Sequence, residues 1–408
     1  MFWKCVRRQS TLGDGKLAPA SREFTISPTM TTHLTLIVPF SVPPGAGDDA
    51  TDDVVPGALL RQLELPALGK LLTRATPGPR ETHDDPYLRS LPQERWLAGR
   101  AGLDTAQVPT APFMRLADRA AAGLPAGDAG DAGEAGEAGW ACLQPVHIHA
   151  ARDHLVLMHP DQVEIAPAEA DALRAAIAGL LDESGIRLEA PRPARWYVPE
   201  ATFGELLATT PVRATGRNID IWMQAGPRAR DWRRFQNEIQ MTWHSHPVNE
   251  AREATGRLPV NSVWLHGGGK VRPVRKLADT VLSDDPFLAG LALAGGSQTG
   301  PQPARFADLP APDGAGSVLT LLDSATEAHI SADWGLWLER MHALDAEWFQ
   351  PVLDALMAGQ LQAATFVLGG ENHFAEFTVT RADLRKFWRG LGARGDWRAL
   401  LSNLAMAA

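Results

Sequence analysis

The chain has 408 residues, 45% of them hydrophobic and 21% charged, with 39 Lys+Arg against 48 Asp+Glu, a formal net charge of -9 and two cysteines. That length can bury a sizeable core in one large domain or in two to three smaller ones. Two thiols, Cys5 and Cys142, exclude a disulfide framework and a Cys-rich zinc module and fit a reducing, cytoplasmic setting, while a pI near 5.8 argues against a nucleic-acid partner, which needs clustered cations.

No apolar run reaches the roughly 18–20 residues that a bilayer span requires, so no membrane association is expected. Six lysines accompany 33 arginines; coding bias accounts for this first, and phosphate recognition by the guanidinium fork second.

Residues 1–29 show no hydrophobic periodicity, and Arg7-Arg8 lacks the apolar stretch of an export signal, so this segment reads as a disordered extension with Met30 as the start of the fold. A strand pattern follows over 33–40, then an acidic turn-rich stretch with Asp48, Asp49, Asp52 and Asp53 that reads as solvated loop. Leucines from Leu59 to Leu72 mark helix, and further short helices are expected at 86–99 and 111–122. The Ala/Gly/Asp/Glu tract 122–139 carries no apolar anchor and reads as a flexible loop.

From Trp140 the pattern becomes regular. Strands are expected at 145–149 and 154–158, a helix at 167–181, and strands at 195–198 and 219–222. A helix from about 231 carries Trp232, Phe235, Ile239 and Trp243 on one stripe with Asp231 as its N-cap, and Pro247 ends it near His246. A buried strand at 261–266 then meets Gly267-Gly268-Gly269-Lys270, which lacks the spacing of a phosphate loop and reads as a tight turn whose N–H groups could still face an anion. In the last third, strands at 317–322, 364–368 and 374–379 surround a long amphipathic helix starting at Asp333, and Thr380 caps a helix at 381–388.

Strands alternating with helices at both ends of the chain point to an α/β fold with a core sheet flanked by helices, built discontinuously from 30–121 and 270–408, with 140–269 as an inserted α+β domain. His147 and His149 share one face of a strand, a geometry that can ligate metal, but no acid or thiol stands in register, so solvated or core histidines are expected. Around the helix end at 238–252, His246, Asn249 and Arg252 follow one helical face. They suit either a phosphorylated or carboxylated metabolite or a purely structural role, with Asn249 capping and Arg252 paired to Glu250 or Glu253.

The stretch HPVNEAREATGRLPVNSVWLHGGG at 246–269 resembles the H-P-V-N-x-x-R…G…P-x-N…W-L-x-G-x-G segment of archaeal-type, cofactor-independent phosphoglycerate mutases, and Ala151-Arg152-Asp153-His154-Leu155-Val156 is similar to the arginine-bearing strand entry of their inserted domain. In segment order over 140–270 the chain resembles the RpfE-type regulatory, phosphoglycerate-mutase-like group. The match covers about a third of the chain. It implies an alkaline-phosphatase-like core with two divalent metals, a Ser/Thr phosphoryl acceptor, and arginines of the inserted domain that hold phosphoglycerate. The binding candidates are Arg152, Arg217, His246, Asn249, Arg252 and Asn261.

The pattern departs from that family at the metal site. Val38-Pro39-Phe40-Ser41 stands where the first strand should end in Asp-Gly, and Gly369-Gly370-Glu371-Asn372-His373 is the best counterpart of the Asp-His pair. His329, Glu371 and His373 are the remaining metal candidates, and acids are missing from the strand ends where a two-metal enzyme needs them. The leading expectation is therefore a regulatory or ligand-binding protein with a degenerate centre and no cofactor, which binds a phosphorylated small molecule or a protein partner. The alternatives are an active Mn- or Mg-dependent mutase and a structural interaction module.

Overall fold

The computed structural model describes residues 31–44, 54–83, 85, 87–125, 139–204, 206–310, 316–390 and 395–405. The expectations placed on 1–29, on Asp48, Asp49, Asp52 and Asp53, and on most of the 122–139 tract lie outside those residues.

In chain order the strands are β1 (Thr31–Val38), β2 (Thr76–Glu81), β3 (Trp140–Val146), β4 (Ile148–Ala150), β5 (Leu155–Leu157), β6 (Glu189–Arg192) and β7 (Arg195–Pro199). They continue as β8 (Ser262–Gly269), β9 (Thr280–Leu282), β10 (Gln298–Gly300), β11 (Ser317–Leu321), β12 (Leu361–Gly369) and β13 (Phe374–Thr380). The larger sheet has the order β10-β9-β11-β1-β12-β13-β2. Its first five strands are parallel, and β13 runs antiparallel between β12 and β2. The smaller sheet, β6-β7-β3-β8, is antiparallel, and β4-β5 form a separate hairpin.

Central parallel strands are covered on both faces, so every residue from Leu36 to Val38 is buried. Alternate side chains feed two different cores. Leu34, Leu36 and Val38 join Phe366, Trp337 and Phe349 on one face, while Ile37 joins Val367, Leu319 and Phe113 on the other. The first face is covered by helices Pro66–Arg74 and Trp334–Leu344, the second by Pro92–Ala101, Thr110–Ala121 and Pro286–Ala294. The α/β class expected from the alternation holds.

Proline opens several of these helices, where its missing N–H costs nothing. At Gly290 an added Cβ would run into the Phe113 carbonyl oxygen, so only glycine allows helices Pro286–Ala294 and Thr110–Ala121 to pack backbone to backbone.

Three local expectations are corrected. Ile219–Ile221 is a 3-10 turn capped by Asn218, whose side chain accepts from Asp220 N at 3.0 Å, rather than a strand. The long helix expected from Asp333 is capped by that residue but breaks into Trp334–Leu344, a π-turn at Asp345–Phe349, and Gln350–Ala358. Pro351 supplies no donor at the second junction, and buried Asp345 turns away to cap the Pro66 helix through Ala67 N (3.1 Å) and Leu68 N (2.8 Å). Finally, Gly267–Gly269 belong to β8 itself. Positive φ at Gly267 and Gly269 and the close approach of Thr110 and Pro109 demand glycine there, so the run serves the packing of β8 against the start of helix Thr110–Ala121 rather than a turn.

In the smaller sheet, one face packs on helices Pro167–Ala176 and Ala229–His244 through Leu143, Trp196, Trp232 and Trp243. The Trp232/Phe235/Ile239/Trp243 stripe is buried as read, although the helix begins at Ala229 and Asp231 lies inside its first turn rather than capping it. The opposite face, with Trp140, Cys142 and Tyr197, shares a core with helices Thr110–Ala121 and Pro286–Ala294. Among the described residues no helix is long and apolar enough to cross a membrane.

Candidate functional site

Ligands of open parallel sheets bind outside the carboxyl ends of the strands, and two places there differ in character. The first lies beyond β1 and β12. Phe40 takes a left-handed φ of 52°, its carbonyl accepts from Trp337 Nε1 at 2.8 Å, and its ring packs 5.1 Å from that of His329. Ser41 donates back to Val38 O at 2.7 Å, and His329 Nε2 lies 3.2 Å from Val42 O. Phe40, Ser41 and His329 are all buried.

Glu371 is held by Arg217 at 2.5 Å and stands 4.0 Å from His329 Nδ1. Burial works against its charge, yet Arg217 and then His329 keep the carboxyl below its ordinary value. Buried Arg213 donates to Leu88 O (2.9 Å), Glu371 O (2.9 Å) and Asn372 Oδ1, and it stacks over Trp222. Arg95, buried too, reaches Ser90 O, Asn372 O and Glu81. His373 is pushed down to about 4, first by burial and then by Arg80.

His329 and Glu371 are thus neighbours, with His373 following in the same loop, but the cation beside Glu371 is a guanidinium. Among the described residues no group of three or more His, Cys, Asp or Glu side chains could hold a metal ion. Manganese or magnesium does not fit these donors. His147, the other metal suspect, is a core histidine whose Nδ1 lies 2.7 Å from Pro259 O.

The six binding candidates do not converge. Arg152 is exposed at the tip of the β4-β5 hairpin, and Arg217 belongs to the Glu371 cluster. Fully buried Arg252 pairs with Glu169 at 2.6 Å, not with Glu250 or Glu253, and donates to Leu258 O (2.7 Å) and Val163 O. Asn249 does not cap its helix. Its amide donates to Trp243 O and Val260 O and accepts from Val260 N, all within 2.9 Å. Asn261 makes a reciprocal pair with the Ile148 backbone (2.8 and 2.9 Å), and His246 caps helix Pro247–Ala254 through Val248 N. In three of the six, Arg252, Asn249 and Asn261, the side chain ties one backbone segment to another, while His246 only caps its own helix.

The second place is open. A cavity of about 520 Å³ lies between the carboxyl ends of β1, β9 and β11 and the face of the smaller sheet. Asp284 and Asp285 follow β9, Asp323 follows β11, Glu94 comes from helix Pro92–Ala101, and Gln144 and His266 from β3 and β8. Acids do therefore stand at strand ends, on β9 and β11 and not where the sequence reading sought them. Burial pushes Glu94 up to about 7 and Asp285 upward as well. Fully desolvated His266 drops to about 3 and so stays neutral. Arg195, the one arginine in the lining, is committed to buried Asp118 through two bonds of 2.7 and 2.6 Å. The sequence signal was Ser283-Asp284-Asp285-Pro286, a strand end followed by a capped proline-led helix.

Comparisons with known proteins add the following. No protein-family model and no curated protein matches the chain. Among solved structures it is similar to a cofactor-independent phosphoglycerate mutase from Thermoplasma acidophilum, at 16% identity and a TM-score of 0.39, with 92% of this chain and 100% of that one covered. It is also similar to a protein from Pyrococcus horikoshii, at 13% identity and a TM-score of 0.48, covering 92% and 98%. The α/β assignment stands on the sheet order itself.

Proposed function

We propose that this chain is a phosphoglycerate-mutase-like protein that works by binding and not by two-metal phosphoryl transfer, in the regulatory, cytoplasmic role of the RpfE-type group. The observation that carries the reading is the Arg217–Glu371 ion pair with Phe40 and His329 packed beside it at the end of β1. A two-metal centre neutralises phosphoryl oxygens and activates a nucleophile with cations held by several acids and histidines. Here the acid is already neutralised by a guanidinium, and the neighbouring side chain is a phenylalanine. The cavity beneath β9 and β11 leaves a ligand site in place of the reaction centre.

Interconversion of 3-phosphoglycerate and 2-phosphoglycerate in the presence of manganese, together with metal analysis of the purified protein, tests this. We expect no turnover and no stoichiometric metal. Manganese at one or more equivalents, with turnover abolished by His373→Ala, overturns the reading.

A further inference from the structure

The edge of the larger sheet opposite the cavity carries a surface of another kind. β13 runs antiparallel to β12, with Thr380 opposite Ala363 near the start of that strand, so helix Arg381–Leu384 and the turn Phe387–Gly390 leave the sheet at its amino edge. There Phe387 and Trp388 are 67% and 58% exposed. Every other described phenylalanine and tryptophan is buried or half-buried. Two neighbouring aromatic rings left in water forgo the burial that such side chains supply elsewhere in the fold, and they mark a contact surface.

The turn is not a frayed end. Arg389 donates to Arg74 O at 3.1 Å and Arg74 donates to Leu384 O at 3.0 Å, which pins both flanks of the aromatic pair to helix Pro66–Arg74. Charge around it is positive in a chain whose formal net charge is -9. Residues 381–389 hold Arg381, Arg385, Lys386 and Arg389 against Asp383, whose carboxylate is already taken by Thr380 Oγ1 and Lys386, each at 2.7 Å. On the same edge Arg272, Arg275 and Lys276 lead into β9, with Asp279 paired to the last of them at 2.8 Å. The carboxyl edge has the acids Asp284, Asp285 and Asp323. A negatively charged surface would therefore meet the aromatic pair and leave the cavity facing away.

Three kinds of occupant compete, and geometry separates them. Successive bases of a nucleic acid stack on ring faces that lie parallel, but the rings of Phe387 and Trp388 meet edge to face, 5.5 Å apart at 79°. A second copy of the chain related by a two-fold axis would set these cations against themselves. An anionic lipid surface needs no matched shape, since cations settle among its headgroups and aromatic rings at the boundary with the hydrocarbon.

We propose that the amino edge docks on an anionic lipid bilayer through Phe387 and Trp388, with Arg385, Lys386 and Arg389 against its headgroups. This goes beyond the binding role proposed above and uses neither strand end of the carboxyl edge. It departs from the sequence expectation of no membrane association, which rested on the lack of a spanning segment; surface docking requires none.

Flotation of the full chain with vesicles of phosphatidylcholine, alone or with about 30 mol% phosphatidylglycerol, tests this. The mixed vesicles should bind at least about tenfold more tightly, and raising the salt from about 0.1 to 0.5 M should weaken that binding about tenfold. Phe387→Ser combined with Trp388→Ser should weaken it about tenfold, and Arg385→Glu by a similar factor. Met241→Ser, at an exposed position on helix Ala229–His244, should change nothing. Absence of wild-type binding to the mixed vesicles, or unchanged binding of a double variant folded by circular dichroism, overturns the proposal. So does displacement of the vesicles by oligothymidylate, which assigns the patch to nucleic acid, or a dimer in solution that the double variant abolishes, which assigns it to a second copy.

Discussion

At the carboxyl edge of the larger sheet, the β1/β12 end and the β9/β11 end answer the same electrostatic problem in opposite ways. Both carry carboxylates in places shielded from water. Beyond β12, arginine side chains cross the loop at 370–373 and match its acid and its carbonyls. Beyond β9 and β11, Glu94 and Asp285 accept from helix N–H groups, and burial raises both. The first end meets its carboxylate with a guanidinium from within the chain, although His329 Nδ1 and His373 Nε2 stay without a partner among the described residues, and the second meets Glu94 and Asp285 with helix N–H groups.

The largest effect should come from breaking the closed end. Arg213→Ala removes a buried cation from Leu88 O, Glu371 O, Asn372 Oδ1 and the face of Trp222. We expect a loss of about 3 kcal/mol in urea unfolding, since the acceptors left behind stay buried. A loss under about 1 kcal/mol would show that the loop is not held by this side chain.

Glu94→Gln reports on the open end with the opposite sign. A carboxyl whose pKa rises from 4.5 to about 7 on folding stabilises the fold fully below pH 4.5, and that contribution is lost as pH rises through 7. The amide removes the penalty, so the variant should exceed wild type by about 2 kcal/mol at pH 8 and match it at pH 4. Parallel stability curves from pH 4 to 8 would mean that Glu94 is not desolvated.

Legibility in the sequence followed the range of the interaction that fixes each feature. The Trp232/Phe235/Ile239/Trp243 stripe, the strand at β1 and the break at Pro247 depend on neighbours within a few residues, and their patterns show in the chain. Arg252 and Glu169 are 83 residues apart, so the choice between Glu250, Glu253 and Glu169 has no local signal. The same holds for the open cavity. Asp284 and Asp323 come to one edge only because β9 and β11 are paired neighbours, and His266 loses its charge only because the smaller sheet is laid against them. The three metal candidates, His329, Glu371 and His373, sit close together, but Arg217, read from the sequence as a ligand-binding residue and more than a hundred positions upstream, pairs with Glu371 instead.

Arg217→Ala tests that decision at moderate cost. The ion pair is partly exposed on the arginine side, so about 1 kcal/mol should be lost near pH 7. Glu371 has a lowered pKa, so its contribution is present above its unfolded pKa of 4.5 and is lost as pH falls. The variant and wild type should therefore converge below about pH 4. A constant difference at all pH values would assign the cost to packing and not to charge.

Thr326→Val is the smallest change and the sharpest probe of the contrast. At a complete site, removing a buried hydroxyl leaves its partner unsatisfied and costs stability. Thr326 Oγ1 has no hydrogen-bond partner among the described residues, so an isosteric valine removes a desolvated group and strands nothing there. The melting temperature should stay level or rise, by up to about 1 kcal/mol equivalent. A fall of that size would place a protein partner on the hydroxyl and close the open end as firmly as the other.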